Sequence, residues 1–233
     1  MSTLAGPNIV RDNLVFFLEA ASQRSYPGTG TTWYDMSGNK YNTTFSGSPT
    51  FQDSGNKTSI NFSSTTADYA SASFDEGILK QTNQTGDWTI EVTFKLVGTP
   101  NTTECLIAGR QGCNGGIYLY DNLTLYHAVK TDVCWTGHVG INQGTLTIGN
   151  WYHSIMTYTN GVVKSYLNGV YIDTQTLDLG LYDMSNYSNT FYVGGITGKY
   201  PNIDLATVRC YSVELSQEQV TQNYKSLRMR YNI

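Results

Sequence analysis

Two closely spaced Asn-Gly pairs, Asn160-Gly161 and Asn168-Gly169, constrain this chain more than any other feature. Asn-Gly tolerates the positive φ that two-residue hairpin turns require, and both pairs are flanked by β-branched and aromatic residues. The stretch WYHSIMTYTNGVVKSYLNGVYIDT, from Trp151 to Thr174, therefore reads as three consecutive antiparallel strands. Between the turns, Val163, Ser165 and Leu167 point one way and Val162, Lys164 and Tyr166 the other, because strand side chains alternate faces. The face that carries Lys164 is expected to be the wetter one.

The bulk composition fits that β reading. Aromatic residues make up 13% of the chain and charged residues 14%, with 18 Tyr and 23 Gly, a balance of strands and turns rather than long helices. At 233 residues the chain suits one large β-domain able to sustain its own core. A net charge of −4 supplies no basic field for nucleic acid or an anionic membrane, so neither partner is expected. No run approaches the roughly 20 apolar residues that span a bilayer. Met1 to Asp12 holds one Arg and no apolar core of a signal peptide, so a soluble chain without its own secretory signal is expected. Cys105, Cys113, Cys134 and Cys210 could form two disulfides, but reduced thiols are the preferred reading in the absence of such a signal. Zinc is disfavoured because His127, His138 and His153 show no ligand-like spacing to the cysteines. Seven Asn-X-Ser/Thr triplets, at Asn42, Asn56, Asn61, Asn83, Asn101, Asn122 and Asn186, are no evidence of glycosylation in a chain this rich in Asn, Ser and Thr.

Taken in order, residues 1–13 read as an arm, either anchored or loose, ahead of a domain that occupies 14–233. A strand is expected over Leu14 to Ala20, then a long loop from Ser25 to Asn42 held by Trp33 and Tyr34. Thr58 to Phe62 and Asp68 to Ser73 follow as short strands. Trp88 to Leu96 alternates Trp88, Ile90, Val92, Phe94 and Leu96 with Thr89, Glu91, Thr93 and Lys95, which predicts one core face and one wet face. Further strands are expected at Glu104 to Ala108, Ile117 to Tyr120, Leu123 to Ala128, Val133 to Ile141 and Thr145 to Ile148. A polar loop over Leu177 to Thr190 precedes strands at Phe191 to Gly194 and Ile203 to Tyr211. The one helix, 216–230, opens with a Ser216/Gln219 capping box, shows Val220, Tyr224, Leu227 and Tyr231 on one face, and carries Lys225, Arg228 and Arg230 toward its C-terminal end. The sum is an all-β antiparallel sandwich of the jelly-roll kind with a short C-terminal helix.

Chemistry is harder to find. Asp35, with Ser37 and Asn39, offers oxygens to calcium, or else caps a turn by accepting backbone N–H bonds. His153, between Trp151 and Ile155 on a strand, reads as a packed, hydrogen-bonded residue rather than a base. His127 and His138 flank Trp135, and local sequence ties no serine or cysteine to either. Tyr118, Tyr120 and Trp135 lie in a polar, loop-rich stretch and are the candidates for stacking on sugar rings, with packing on the sheet as the alternative.

The order of NLVFFLEA (Asn13 to Ala20), WYDMSGN (Trp33 to Asn39), DWTIEVTFK (Asp87 to Lys95), the Trp151 meander and IDLATVRCYSVELSQEQVTQNY (Ile203 to Tyr224) resembles laminin G-like, concanavalin A-like jelly-roll domains. The likeness is nearest to stand-alone versions among structural proteins of tailed bacteriophages, through LAGPNIV at Leu4 to Val10, SYPGTGTTW at Ser25 to Trp33 and the terminal QNYKSLRMRY. It implies a non-enzymatic virion protein that decorates a head or tail, made in the host cytoplasm, with other virion proteins as partners. Bacterial surface glycans are the ligands it would add, and a homo-oligomer is compatible with such a role. Calcium sites of some relatives use loop aspartates in the regions of Asp35 and Asp68; neither has a second nearby carboxylate, so any calcium would be weakly held and no other cofactor is expected. Related glucanases carry an E-x-D-x-x-E strand for their nucleophile and acid/base. No such strand occurs here, and a glycosidase would need a pair assembled from Glu91, Asp121, Asp173 or Asp204. A glycan-binding receptor or adhesion module is the alternative function.

Overall fold

The computed structural model describes residues 7–75, 79, 86–110, 115–130, 138–176 and 189–233. The turns at Asn160-Gly161 and Asn168-Gly169 have all four residues at positive φ, and they join β12 (Trp151–Thr159), β13 (Val162–Leu167) and β14 (Val170–Thr176). On its other side β12 pairs with β7 (Asp87–Gly98), with Met156 opposite Ile90 and Tyr158 opposite Trp88. β7 in turn pairs with β16 (Asn202–Tyr211), which is flanked by β1 (Leu14–Glu19) and β5 (Ser59–Phe62), and β4 (Thr50–Gln52) lies at the far edge. These strands make the first sheet.

The second sheet runs β11 (His138–Thr145), β10 (Thr124–Lys130), β9 (Gly116–Tyr120), β8 (Glu104–Arg110), β15 (Thr190–Val193), β6 (Tyr69–Ser73), β3 (Thr43–Ser46) and β2 (Thr32–Trp33). The two sheets are antiparallel throughout and enclose one apolar core. The alternate residues of β7, Trp88, Ile90, Val92, Phe94 and Leu96, meet Ile107, Ile117, Leu119, Leu125, Val129 and Phe191 of the facing sheet there. Trp88 stacks on Tyr158 with ring centroids 5.2 Å apart, so the meander and the long strand share an aromatic contact as well as backbone pairing.

α1 (Gln217–Tyr231) lies on the outer face of the first sheet. Its capping box is formed as the sequence predicts, with Ser216 and Gln219 each accepting the other's backbone N–H. Val220 packs with Ile155, Tyr166 and Tyr211, while Leu227 and Tyr231 pack with Ala206. Burying an aliphatic side chain such as Val220 or Leu227 contributes about 1.5–3 kcal/mol. Tyr224, expected on the buried face, is only half-buried, and Asn223 is fully buried in its place.

Several expectations are corrected. The face of β7 expected to be wet is so only at Lys95: Thr89, Glu91 and Thr93 are fully buried because α1 and the connection leading into it cover that side of the sheet. The loop from Ser25 to Asn42 contains the short strand β2, and β3 and β4 were not foreseen. Thr145 to Ile148 is no separate strand, since β11 ends at Thr145. The expected start of that strand at Val133 and most of the Leu177 to Thr190 loop lie outside the described residues, as do Cys113 and Cys134. Cys105 and Cys210 are free and buried. The part of the arm within the described residues is tied to α1, with Val10 N donating to Asn223 Oδ1 at 2.8 Å and Gln222 Nε2 donating to Asn8 O at 2.7 Å.

Candidate functional site

α1 covers the first sheet, and among the described residues the outer face of the second carries no helix. Side chains alternate on that sheet as strand geometry requires. Ile117, Leu119, Leu125 and Val129 enter the core, whereas Tyr118, Ala128 and Leu106 form a separate outer cluster with Tyr120, Tyr126, Tyr192 and Ile196 against it. Register sets the pattern of this face. Leu106, Tyr118, Tyr126 and Asn142 stand side by side on β8, β9, β10 and β11. Beside them runs a row of small residues, Gly109, Gly116, Ala128 and Gly140, with Tyr192 at its end.

The tyrosines use the space that this row leaves. A Cβ on Gly140 would lie 2.8 Å from Tyr126 Cε1, and one on Gly116 would lie 2.8 Å from Leu106 Cδ1 and 3.1 Å from Tyr118 Cε2. These side chains therefore lie low over the glycine backbone instead of standing off the sheet. Tyr120 and Tyr126 meet edge to face at 5.5 Å, and Tyr192 meets Tyr69 at 5.9 Å. Burial, and then the charge of Glu104, pushes the Tyr120 hydroxyl up to about 12 and that of Tyr118 higher still. The phenols are thus neutral across the physiological range, and the face offers aromatic surface with uncharged hydroxyls. That combination suits stacking and hydrogen bonding to sugar rings.

The sequence candidates fare unequally. Tyr120 is half-buried on this face, as a stacking residue must be. Tyr118 is on the same face but only 5% exposed, so it packs the cluster and offers no free ring; this corrects its reading as a stacking residue. Trp135 lies outside the described residues. Sequence reading missed Tyr126, Tyr192 and Tyr69. Counting back across the Asp121-Asn122 turn would have placed Tyr126 opposite Tyr118, but nothing local joins Tyr192 to the other two strands.

Asp35 and Asp68 hold loops. Asp35 Oδ1 accepts from the N–H groups of Phe17 and Ser37 at 2.9 and 2.8 Å, and Oδ2 from Tyr41 N at 3.0 Å and Ser37 Oγ at 2.8 Å. Asp68, buried, accepts from Ser48 N at 2.7 Å, Ser63 N at 3.1 Å and the Thr66 hydroxyl. Donor dipoles converging on both carboxylates oppose a cation at the same oxygens. The two aspartates are turn anchors, and among the described residues no three His, Cys, Asp or Glu side chains gather as metal ligands do.

The carboxylates weighed for glycoside cleavage are dispersed. Glu91 is sealed beneath α1, Asp204 accepts from Asn61 Nδ2 at 2.8 Å and faces Lys95 Nζ at 3.7 Å, Asp121 sits in the β9–β10 turn and Asp173 on the edge strand β14. Glu91 is the centre of a buried polar cluster that the sequence did not announce. His153 Nε2 donates to its Oε1 at 2.9 Å, Asn223 Nδ2 to its Oε2 at 2.7 Å, and Arg209 Nη1 also to Oε1. His153 is thus the packed, hydrogen-bonded residue expected. His127 differs: the fold brings it two serines, with Nδ1 2.8 Å from Ser165 Oγ and Nε2 2.6 Å from Ser154 Oγ, all fully buried. Burial lowers its pKa to about 3, so this imidazole is a neutral bridge inside the core, closed to substrate.

Two antiparallel sheets, crossed in this order and covered by one C-terminal helix, make the jelly roll of lectin-like proteins. The chain belongs to the concanavalin A-like lectin/glucanases superfamily, whose family model matches residues 63–221. A search of curated proteins finds no match at the level of sequence. Among solved structures, the binding domain of botulinum neurotoxin DC in complex with rat synaptotagmin II superposes with a TM-score of 0.69 at 17% identity, covering 94% of this chain and 52% of that one. The binding domain of botulinum neurotoxin serotype C1 gives 0.69 at 16% identity, covering 93% and 52%. A structure of botulinum neurotoxin type C, whose cell entry is described as dependent on two ganglioside molecules, gives 0.68 at 16% identity over the same shares. The chain therefore spans about half the length of these solved chains, and at such identity the likeness is one of fold.

Proposed function

We propose that this protein is a non-enzymatic binding module that recognises bacterial surface glycans through the outer face of its second sheet, as part of a bacteriophage virion. The observation that carries the glycan reading is the tyrosine face itself: Tyr120, Tyr126, Tyr192 and Tyr69 beside a row of glycines, on the side of the sandwich away from α1. Aromatic side chains held low and rigid lose little entropy on stacking against a ring. The toxin domains that share the fold are described with synaptotagmin II and with ganglioside molecules, which agrees with a binding role for the architecture. The dispersal of Glu91, Asp121, Asp173 and Asp204 favours binding over cleavage. The virion placement rests on the LAGPNIV, SYPGTGTTW and QNYKSLRMRY stretches.

The test is a screen of the purified protein against bacterial surface polysaccharides, repeated with Tyr120→Ala/Tyr126→Ala. Saturable binding that the double variant loses, with no release of reducing sugar, supports the module. Binding by a folded double variant at wild-type strength removes the tyrosine face from the account, and polysaccharide cleavage removes the non-enzymatic reading.

A further inference from the structure

A cluster of arginines lies on the other, helix-covered side of the sandwich. Between the arm, β1 and the C-terminal half of α1 is a cavity of about 310 Å3, lined among others by Asn8, Arg11, Phe17, Glu19, Arg209 and Arg230. Three guanidinium groups converging on one cavity is unusual for a chain with 14 Lys and Arg and a net charge of −4. Two of them are already committed. Arg209, buried, donates to Glu91 behind the wall, and Arg230 donates to Glu19 at the rim. Arg11 is exposed and lies over the Phe17 ring, 5.3 Å from the centroid, the same ring that Arg209 approaches at 4.9 Å. Among the described residues no carboxylate pairs with Arg11.

Three cations set against the carboxylates of Glu19 and Glu91 leave one positive charge uncompensated, and Arg11 is the group that carries it. Arginine presents a planar fork that matches the oxygens of a carboxylate or phosphate. The cavity volume is at the lower end of the range for small-ligand sites, room for one sugar or a comparable anion. We propose that this cavity binds a small oxyanion, the carboxylate of an acidic sugar or a phosphate group, with Arg11 as its principal contact and Arg209 and Arg230 as the fixed positive wall. The site is separate from the tyrosine face and does not depend on it.

The experiment is titration of the full chain at low salt with sodium glucuronate, with inorganic phosphate and with glucose, followed by amide shifts in a 1H–15N NMR spectrum. Saturable shifts centred on Asn8, Arg11 and Arg230 with either anion, and none with glucose, are expected; which anion acts tells carboxylate from phosphate. Arg11→Gln should weaken the response roughly tenfold or more, the equivalent of one charged hydrogen bond. Met229→Glu, at a wall residue that is 63% exposed and so safe for folding, should weaken it through charge alone. Tyr120→Ala/Tyr126→Ala should leave it unchanged. No saturable shift with either anion, or equal binding by Arg11→Gln, overturns the proposal whatever the polysaccharide screen shows.

Discussion

Arg209 on β16 stands directly opposite Glu91 on β7 and donates a hydrogen bond to it with both side chains shut away from solvent. Burial by itself would raise the Glu91 carboxyl, but the charge of Arg209, with hydrogen bonds from His153 and Asn223, more than reverses this and holds it at about 2. Replacing it with Gln leaves the guanidinium buried without its counter-ion. Glu91→Gln should therefore cost about 3–5 kcal/mol in urea unfolding.

The same carboxyl sets a pH dependence. Its folded pKa of about 2 lies below the ordinary 4.5, so the stabilisation is complete above about pH 4.5 and is lost as pH falls toward 2. The displacement corresponds to about 3 kcal/mol. Unfolding free energies measured from pH 6 down to about 2 should show this loss in the wild type and a shallower slope in Glu91→Gln.

His127 should stay neutral far into acid. With burial holding it at about 3 in the folded chain and about 6.5 expected in the unfolded one, only the unfolded state takes up the proton between those values. Stability thus falls as pH drops below 6.5. Histidine NMR titration checks this directly: a His127 resonance that titrates near pH 6 in the folded protein contradicts the Ser154–His127–Ser165 bridge.

Two glycine turns, Gly149 leading into the meander and Gly169 within it, should differ in tolerance. Gly149 has φ +92 and open space, with no atom within 4 Å of where a Cβ would stand, so Gly149→Ala carries only the left-handed backbone penalty, about 1 kcal/mol. Gly169 has φ +76 and a Cβ there would sit 2.6 Å from Tyr224 Cδ1. Overpacking against that ring adds about 1–3 kcal/mol, and Gly169→Ala should be clearly the less stable of the two in thermal melts.

Asp35 is predicted to matter for stability and not for calcium. Asn at this position sets an NH2 group against donors that now meet a carboxylate, at a cost of about 1–3 kcal/mol. Adding calcium should leave the wild-type melting temperature in place, since four donors already occupy the Asp35 oxygens. A calcium-dependent rise abolished by Asp35→Asn would restore the metal reading.

Much of the framework was legible in the residues. Asn160-Gly161 and Asn168-Gly169 declare their hairpins because few other pairs accept positive φ at both positions, and the Ser216/Gln219 box declares its helix because those side chains can satisfy each other's backbone. Alternation in Trp88 to Leu96 correctly assigned Ile90 and Phe94 to the core. Alternation states which residues share a face; it does not state what covers that face. Glu91 looked wet for this reason, and only the docking of a helix more than 120 residues later turned its side of the sheet into an interior.

The sites show the same division. Tyr118 and Tyr120 were visible as aromatics on one strand, yet the face they belong to needs Tyr126 from β10, Tyr192 from β15 and Tyr69 from β6, joined by strand register across the sheet. Likewise Arg11, Arg209 and Arg230 come from the arm, the last strand and the helix. The sequence by itself determined the two Asn-Gly hairpins, the long alternating strand and the capped helix, because those follow from local backbone preferences and the period of the side chains. Which strands became neighbours, which polar groups were buried together and which aromatic rings were left facing outward were decided by the tertiary structure, because these depend on contacts between residues far apart in the chain.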